Sequence, residues 1–313
     1  MRTLRPRDFV ECDGLLAAVT SVVHPEGPVV TPRYVREGTA LRKLDTVGAR
    51  AFVAARHPDW LVHSPLLGVE VVLVPLAAVE RVHRPEARAA SLRAGDARHP
   101  IERCARRVLA SLVDHGVPAS RLGVTGSLLV GAMHAASDID VVTYGRSAFA
   151  AARTALATLV QSGRWAEPGA EEWRDAWQRR GAPGSIDDYV RHERRKGTKA
   201  IADGVRLDLS LLQDAEEGAV DAPPFRKLGR LELEARVVDA SGAFDHPARY
   251  VVAHPGVGVV VSYTATYAGQ ARAGETVRAS GWLEVDATGA RRLLIGTSRE
   301  AEGERLTVLD LDA

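Results

Sequence analysis

The apolar residues of this chain change their spacing twice, and that limits the folds open to it. From residue 226 onward they come in short alternating runs divided by Gly and Asp turns: "RLELEARVVDA", "ARYVVAH", "GVGVVVSYTATY", "ETVRASGWLEVD", "RRLLIGTS" and "RLTVLDLD". Side chains of a strand alternate between faces, so a period of two specifies strands with one buried face. Such a set predicts a small closed barrel or sandwich, an OB-like barrel among the options. Residues 1–95 are also β-rich. "DGLLAAVTSVV" and "PVVTPRYVRE" flank the turn "HPEG", "LGVEVVLVPL" follows, and helical pieces are expected near 46–57 and 76–91.

Residues 96–222 alternate helix and strand. "HPIERCARRVLASLVDHG" sets Ile101, Val108, Leu109, Leu112 and Val113 at helical spacing, with Pro100 near its start and Gly116 at its end. "LGVTG" follows as a strand, "SLLVGAMH" as a helix and "DIDVVTY" as a strand. "SAFAAARTALATLVQSG" is expected as a helix capped by Ser147 and closed by Gly163, and "VRLDLSLL" as a later strand. The expected fold is mixed α/β (α+β). A central domain with helices against a mixed sheet (96–222) lies between a β-rich N-terminal domain (1–95) and an all-β C-terminal domain (226–313). "DAPPF" (Asp221–Phe225) reads as the linker.

Lys and Arg number 41 against 40 Asp and Glu, a net charge of +1, so any anion site has to be local. Cys12 and Cys104 form neither a ligand spacing nor a disulfide framework, which predicts a reduced, cytoplasmic protein. The longest apolar run, "LLGVEVVLVPLAAV", is broken by Glu70 and Pro75, and no membrane partner is expected. The histidines form no zinc spacing, and His134 reads as a loop residue. "HPGVGVVV" lacks the third glycine and the helix of a dinucleotide fingerprint.

The segment "GVTGSLLVGAMHAASDIDVVTYG" carries the chemistry. Asp138 and Asp140 fall on one face of a strand, with Ile139 on the other. Adjacent carboxylates repel unless a cation lies between them, and magnesium favours one or two carboxylates plus phosphate oxygens. Gly126 and Ser127 stand where a strand passes into a helix, a place that suits phosphate. Asp208, between Leu207 and Leu209 in "RLDLSLL", supplies a third carboxylate. Asp203 and Asp214 are rivals that flank this strand. Three aspartates would hold two metal ions, which activate an attacking hydroxyl and stabilise a pyrophosphate leaving group.

This set resembles the polymerase-β-type nucleotidyltransferase superfamily over roughly residues 123–210. The resemblance implies Asp138 and Asp140 as ligands of two Mg²⁺ ions, Mn²⁺ being a substitute, and Asp208 as third ligand and base. Gly126 and Ser127 would hold the triphosphate of an NTP. Over the whole chain, "RDFVECDGLLAAV", "LGVTGSLLVGAMHAASDIDVVTYG" and "SYTATYAGQARAGETVRASGWLEV" resemble a mainly archaeal family with a central domain of this type. Archaeal CCA-adding enzymes share the Gly-Ser and Asp-x-Asp set. Here the set lies behind a β-rich stretch and before an all-β tail, so CCA addition is not carried over.

The basic stretch "VRHERRKGTKAIADGVRLD" lies just upstream of Asp208. It makes Arg195, Lys196 and Lys199 candidates for gripping NTP phosphates, against the plain reading of a solvated helix end. Trp173 and Trp177, four apart, read as a core face rather than a base-stacking platform. The expected activity is Mg²⁺-dependent transfer of an NMP to an acceptor hydroxyl, on RNA such as tRNA or on a small molecule or protein. The alternative is a nucleotide-binding regulatory module with a relic site.

Overall fold

The computed structural model describes residues 4–22, 24, 26–64, 69–181, 184–214, 225–297 and 302–309. The expected linker lies, but for Phe225, outside the described residues. The fold is mixed α+β, as expected, and divides into two compact units. One comprises Met1–Ala155 with Ala202–Leu212, the other Leu156–Ile201 with Gln213–Ala313.

The first unit opens with strands β1 (Phe9–Cys12), β2 (Leu15–Ser21), β3 (Val29–Glu37) and β4 (Ala40–Lys43), then helix α1 (Thr46–Arg56) and strands β5 (Leu61–Ser64), β6 (Val69–Leu73) and β7 (Arg81–His83). The sheet order is β5-β6-β3-β2-β1-β7, with β4 on β3. Alternation gives this sheet two faces, and both are buried. Val10, Leu15 and Val35 pack with Val53 of α1 and with Trp60. Phe9, Leu16 and Tyr34, on the other face, pack with Leu129. The N-terminal sheet and the start of the central stretch therefore share one unit.

In place of the helix expected near 76–91 stand three elements, a 3₁₀ turn (Leu76–Ala78), strand β7 and a later helix. Residues 81–83 pair with β1, and helix α2 (Pro85–Arg93) begins only at Pro85, whose fixed φ suits a first turn. Helix α3 (Pro100–Asp114) follows. His99 Nδ1 accepts from the Ile101 N–H, and Glu102 Oε2 accepts from the His99 N–H at 2.8 Å, closing a capping box.

Strand β8 (Leu122–Thr125), helix α4 (Gly126–Val130), strand β9 (Ile139–Tyr144) and helix α5 (Arg146–Gln161) come next. The helix expected over "SLLVGAMH" is therefore one short turn, stopped by Gly131 at φ 77°. Ser147 lies inside α5 rather than at its cap. Helices α6 (Ala170–Arg180) and α7 (Ile186–Lys196) and strand β10 (Lys199–Ala202) lead to β11 (Val205–Leu212). β11 pairs parallel with β9, and β8 pairs antiparallel with β9 on its other edge. Parallel neighbours need a long crossover, which the helices between them supply.

In the second unit, strands β12 (Arg226–Asp239), β13 (Ala248–Ala253), β14 (Val259–Ser262), β15 (Thr276–Val285), β16 (Arg291–Ile295) and β17 (Arg305–Val308) build the C-terminal sheet. Its order is β12-β13-β14-β16-β15, and β15 returns to β12, closing a five-stranded barrel with β17 added to β15. β14 and β16 are its parallel pair. This is the connectivity of an OB-type barrel. Val237, Tyr250, Val260, Val277 and Leu293 fill the interior. Trp173 is buried, as expected, and meets Tyr189 edge-on at 6.3 Å between centroids.

α7 is fastened to the barrel by His192. The Val308 N–H donates to His192 Nε2 at 3.2 Å, so the ring proton sits on Nδ1 and donates to the Asp188 carbonyl at 2.7 Å. Burial holds the imidazole below its ordinary pKa; Lys196 and Arg195 add to this, while Asp188 opposes it. The unfolded chain therefore binds this proton at higher pH than the folded one. Stability is expected to fall as pH drops through about 6.5, by up to roughly 1.4 kcal/mol per pH unit. Thermal melts between pH 8 and 5 check this, and His192→Gln is expected to flatten the profile.

Candidate active site

β8, β9 and β11 bring the aspartates together. In register, Asp208 of β11 lies beside Asp140 of β9, and Asp140 lies beside Thr125 of β8. Asp138 stands one residue before β9. Ile139, between the two acids, is buried, as are Leu207 and Leu209 either side of Asp208. The apolar residues thus anchor one face, and the three carboxylates, half-exposed, stand on the other.

The turn after β8 is shaped by Asp140. Gly126 has φ 66°, a left-handed conformation. A Cβ there would also fall inside the van der Waals envelope of Asp140 Oδ2. Conformation and space both favour glycine here. Ser127 follows in α4. This helix has only five residues, so any phosphate binding here would rest on the backbone of the Gly126 turn and the Ser127 hydroxyl, not on a helix dipole.

Arg206, two residues before Asp208 on the same face of β11, was not singled out from the sequence. Its Nη2 donates to Asp138 Oδ1 at 3.2 Å. Its period-two spacing from Asp208 is the signal that could have found it. Thr125 is the other addition: its hydroxyl donates to the Arg7 carbonyl at 3.1 Å, tying the row of acids to the N-terminal segment.

Two adjacent hard carboxylates suit magnesium, which takes one or two such ligands beside phosphate oxygens. Asp140 and Asp208 would hold it. Among the described residues no group of three or more His, Cys, Asp or Glu is arranged as a metal cage, Asp138 being turned to Arg206. His134 is a turn residue, whose Nδ1 accepts from the Ala136 N–H.

The basic candidates belong to the second unit, and their charges meet carboxylates there. Arg195 pairs with Glu275. Lys196 is buried, and its Nζ donates to Glu193 Oε1 at 2.6 Å and to the Thr266 carbonyl at 2.7 Å. Lys199 Nζ lies 3.7 Å from Glu193 Oε2. Burial alone would raise the Glu193 pKa; Lys196, Arg180 and Lys199 more than offset it and hold it at about 2. Burial lowers Lys196 to about 8 against the pull of Glu193. The pair is ionised at neutral pH and fastens α7 to the barrel. The phosphate grip read from the sequence finds these charges already engaged.

The chain is similar to an uncharacterized protein of Methanocaldococcus jannaschii. The two are 29% identical over 336 aligned positions, 97% of this chain and 99% of that protein. No protein-family model and no solved structure matches the chain. The likeness runs nearly end to end and carries no activity with it.

Gly126→Ala is expected to cost about 1–3 kcal/mol in denaturant melts, because strain adds to the collision with Asp140. Gly131→Ala, where a Cβ meets nothing within 4 Å, is expected to cost only about 1 kcal/mol. Lys196→Met is expected to destabilise by about 3 kcal/mol by leaving Glu193 under-compensated; an unchanged melting temperature would return this lysine to the ligand-binding candidates.

Proposed function

We propose that the protein is a divalent-metal-dependent nucleotidyltransferase. The observation that carries this reading is the row Thr125–Asp140–Asp208, seated against the left-handed turn at Gly126, where an added Cβ would collide with Asp140 Oδ2. Mg²⁺ bound to such carboxylates supplies charge neutralisation for phosphate oxygens and a more acidic acceptor hydroxyl. Asp140 and Asp208 hold and orient it. Asp208 accepts the proton of the acceptor hydroxyl, whose oxygen bonds to the α-phosphorus while the bond to the β-phosphate breaks and pyrophosphate leaves. The Gly126 backbone and the Ser127 hydroxyl meet phosphate oxygens. The contribution of these groups is positioning and fixed charge.

RNA is the proposed acceptor. An OB-type barrel often binds oligonucleotides, and here its strands carry Trp282 with the Arg230 guanidinium 4.0 Å and the Lys227 ammonium 5.2 Å from its ring centre. A second reading, a nucleotide-binding regulator, is favoured by the Arg206–Asp138 ion pair, in which a side-chain cation neutralises one of the three acids.

Pyrophosphate release from each of the four NTPs, with Mg²⁺ or Mn²⁺ and with total RNA or a small-molecule extract, tests these readings. Release is expected with one NTP and the RNA fraction, and Asp140→Asn is expected to slow it on the order of a thousandfold. Release with the small-molecule extract alone would replace the acceptor. Metal-dependent nucleotide binding without release would favour the regulator, and absence of both would overturn the assignment.

A further inference from the structure

Two indole N–H groups of the second unit, those of Trp173 and Trp177, are shut away from solvent and meet no acceptor among the described residues. Trp173 is only 3% exposed. A buried donor without an acceptor is costly, and two on one helix call for a partner. They stand four residues apart on α6, which puts them on one face, with Arg180 three residues further along the same side. That face is turned to α7. Trp173 meets Tyr189 of α7 edge-on, and the Arg180 guanidinium carbon lies 5.9 Å from the centre of the same ring.

The surroundings are positive. Arg180 Nη1 lies 3.6 Å from Glu193 Oε1, the oxygen that Lys196 Nζ also meets, and Lys199 Nζ lies 3.7 Å from Oε2 of the same carboxylate. Three cations thus converge on one acid, itself 3% exposed. Their repulsion is felt at Lys196. Burial lowers its pKa and Glu193 opposes this, but Arg180 and Lys199 add to the lowering. Glu193 is taken up by these cations, and neither indole N–H reaches it.

An anion on this face would accept from both N–H groups and offset the repulsion among the cations. A neutral acceptor such as water would do only the first. Donors one helical turn apart, about 6 Å along the axis, are better served by a group with several acceptor oxygens than by a single halide ion. We propose that the facing sides of α6 and α7 bind an oxyanion of the phosphate class, with the Trp173 and Trp177 N–H groups as donors and Arg180 as the cation beside them. The lysines keep their place on Glu193. The site lies wholly within the second unit and does not depend on the nucleotidyltransferase reading.

NMR of the full chain, labelled with ¹⁵N at the indole nitrogens of its five tryptophans, tests this. Titration of the wild type with inorganic phosphate at constant ionic strength is expected to shift the two resonances of Trp173 and Trp177. Trp173→Phe and Trp177→Phe, which keep an aromatic ring, are each expected to remove one of the two and to weaken phosphate binding about tenfold in calorimetry. Arg180→Gln, with both indoles in place, is expected to weaken it likewise. The wild-type shifts decide the matter even where a variant fails to fold. Asp140→Asn is expected to leave them unchanged; their loss there would put the phosphate at the aspartates and overturn this site. AMP and adenosine separate the sources. Shifts with phosphate alone assign a free anion, shifts with AMP assign a phosphoryl group carried by a nucleoside, and both support the site. Equal shifts with chloride or with adenosine would overturn the phosphate class. Indole resonances that no anion moves would place water on both N–H groups and overturn the proposal, leaving the transferase reading untouched.

Discussion

The carboxylate of Asp140 occupies space that a side chain at position 126 would need, and the strands that carry the aspartates meet beside that contact. β8 is followed by a left-handed glycine, and Asp140 Oδ2 lies close to its backbone. β9 then runs back along β8, and β11 adds on the other edge with Asp208 level with Asp140. The turn itself is short. Gly131 stops it after Val130, and Leu129 goes down onto the face of the N-terminal sheet that carries Phe9, Leu16 and Tyr34.

The charges sort into two kinds of setting. On the first unit, acids stand half-exposed on a strand face, and Arg206 meets Asp138 there. On the second, Glu193 is buried among Arg180, Lys196 and Lys199 and helps fasten α7 to the barrel with His192. Removal from water makes such a cluster costly to disturb. The acids of the first unit, by contrast, keep part of their surface exposed.

Much of the fold was legible because it rests on local periodicity. "VRLDLSLL" alternates so strictly that β11 and the side of Asp208 follow from it, and the six C-terminal strands are marked in the same way. Errors fell where local signals compete. "SLLVGAMH" has the composition of a helix, but the left-handed glycine inside it ends the turn. Residues 76–91 look helical in part, yet Arg81–His83 are drawn off as an edge strand against β1. The left-handed backbone of Arg7, which the Thr125 hydroxyl meets, carried no mark in the sequence, because it arises from pairings made at a distance.

The sequence alone determined which residues share a face, since that depends on a period of two or 3.6 along one segment. It set Asp138 with Asp140, and Asp208 against Leu207 and Leu209. Tertiary structure decided which charge meets which. Lys196 and Arg206 are both cations near Asp208 in the sequence, yet one lies buried on Glu193 and the other stands on Asp138. An ion pair depends on distances between residues that the chain brings together only when it folds, and no local pattern encodes them.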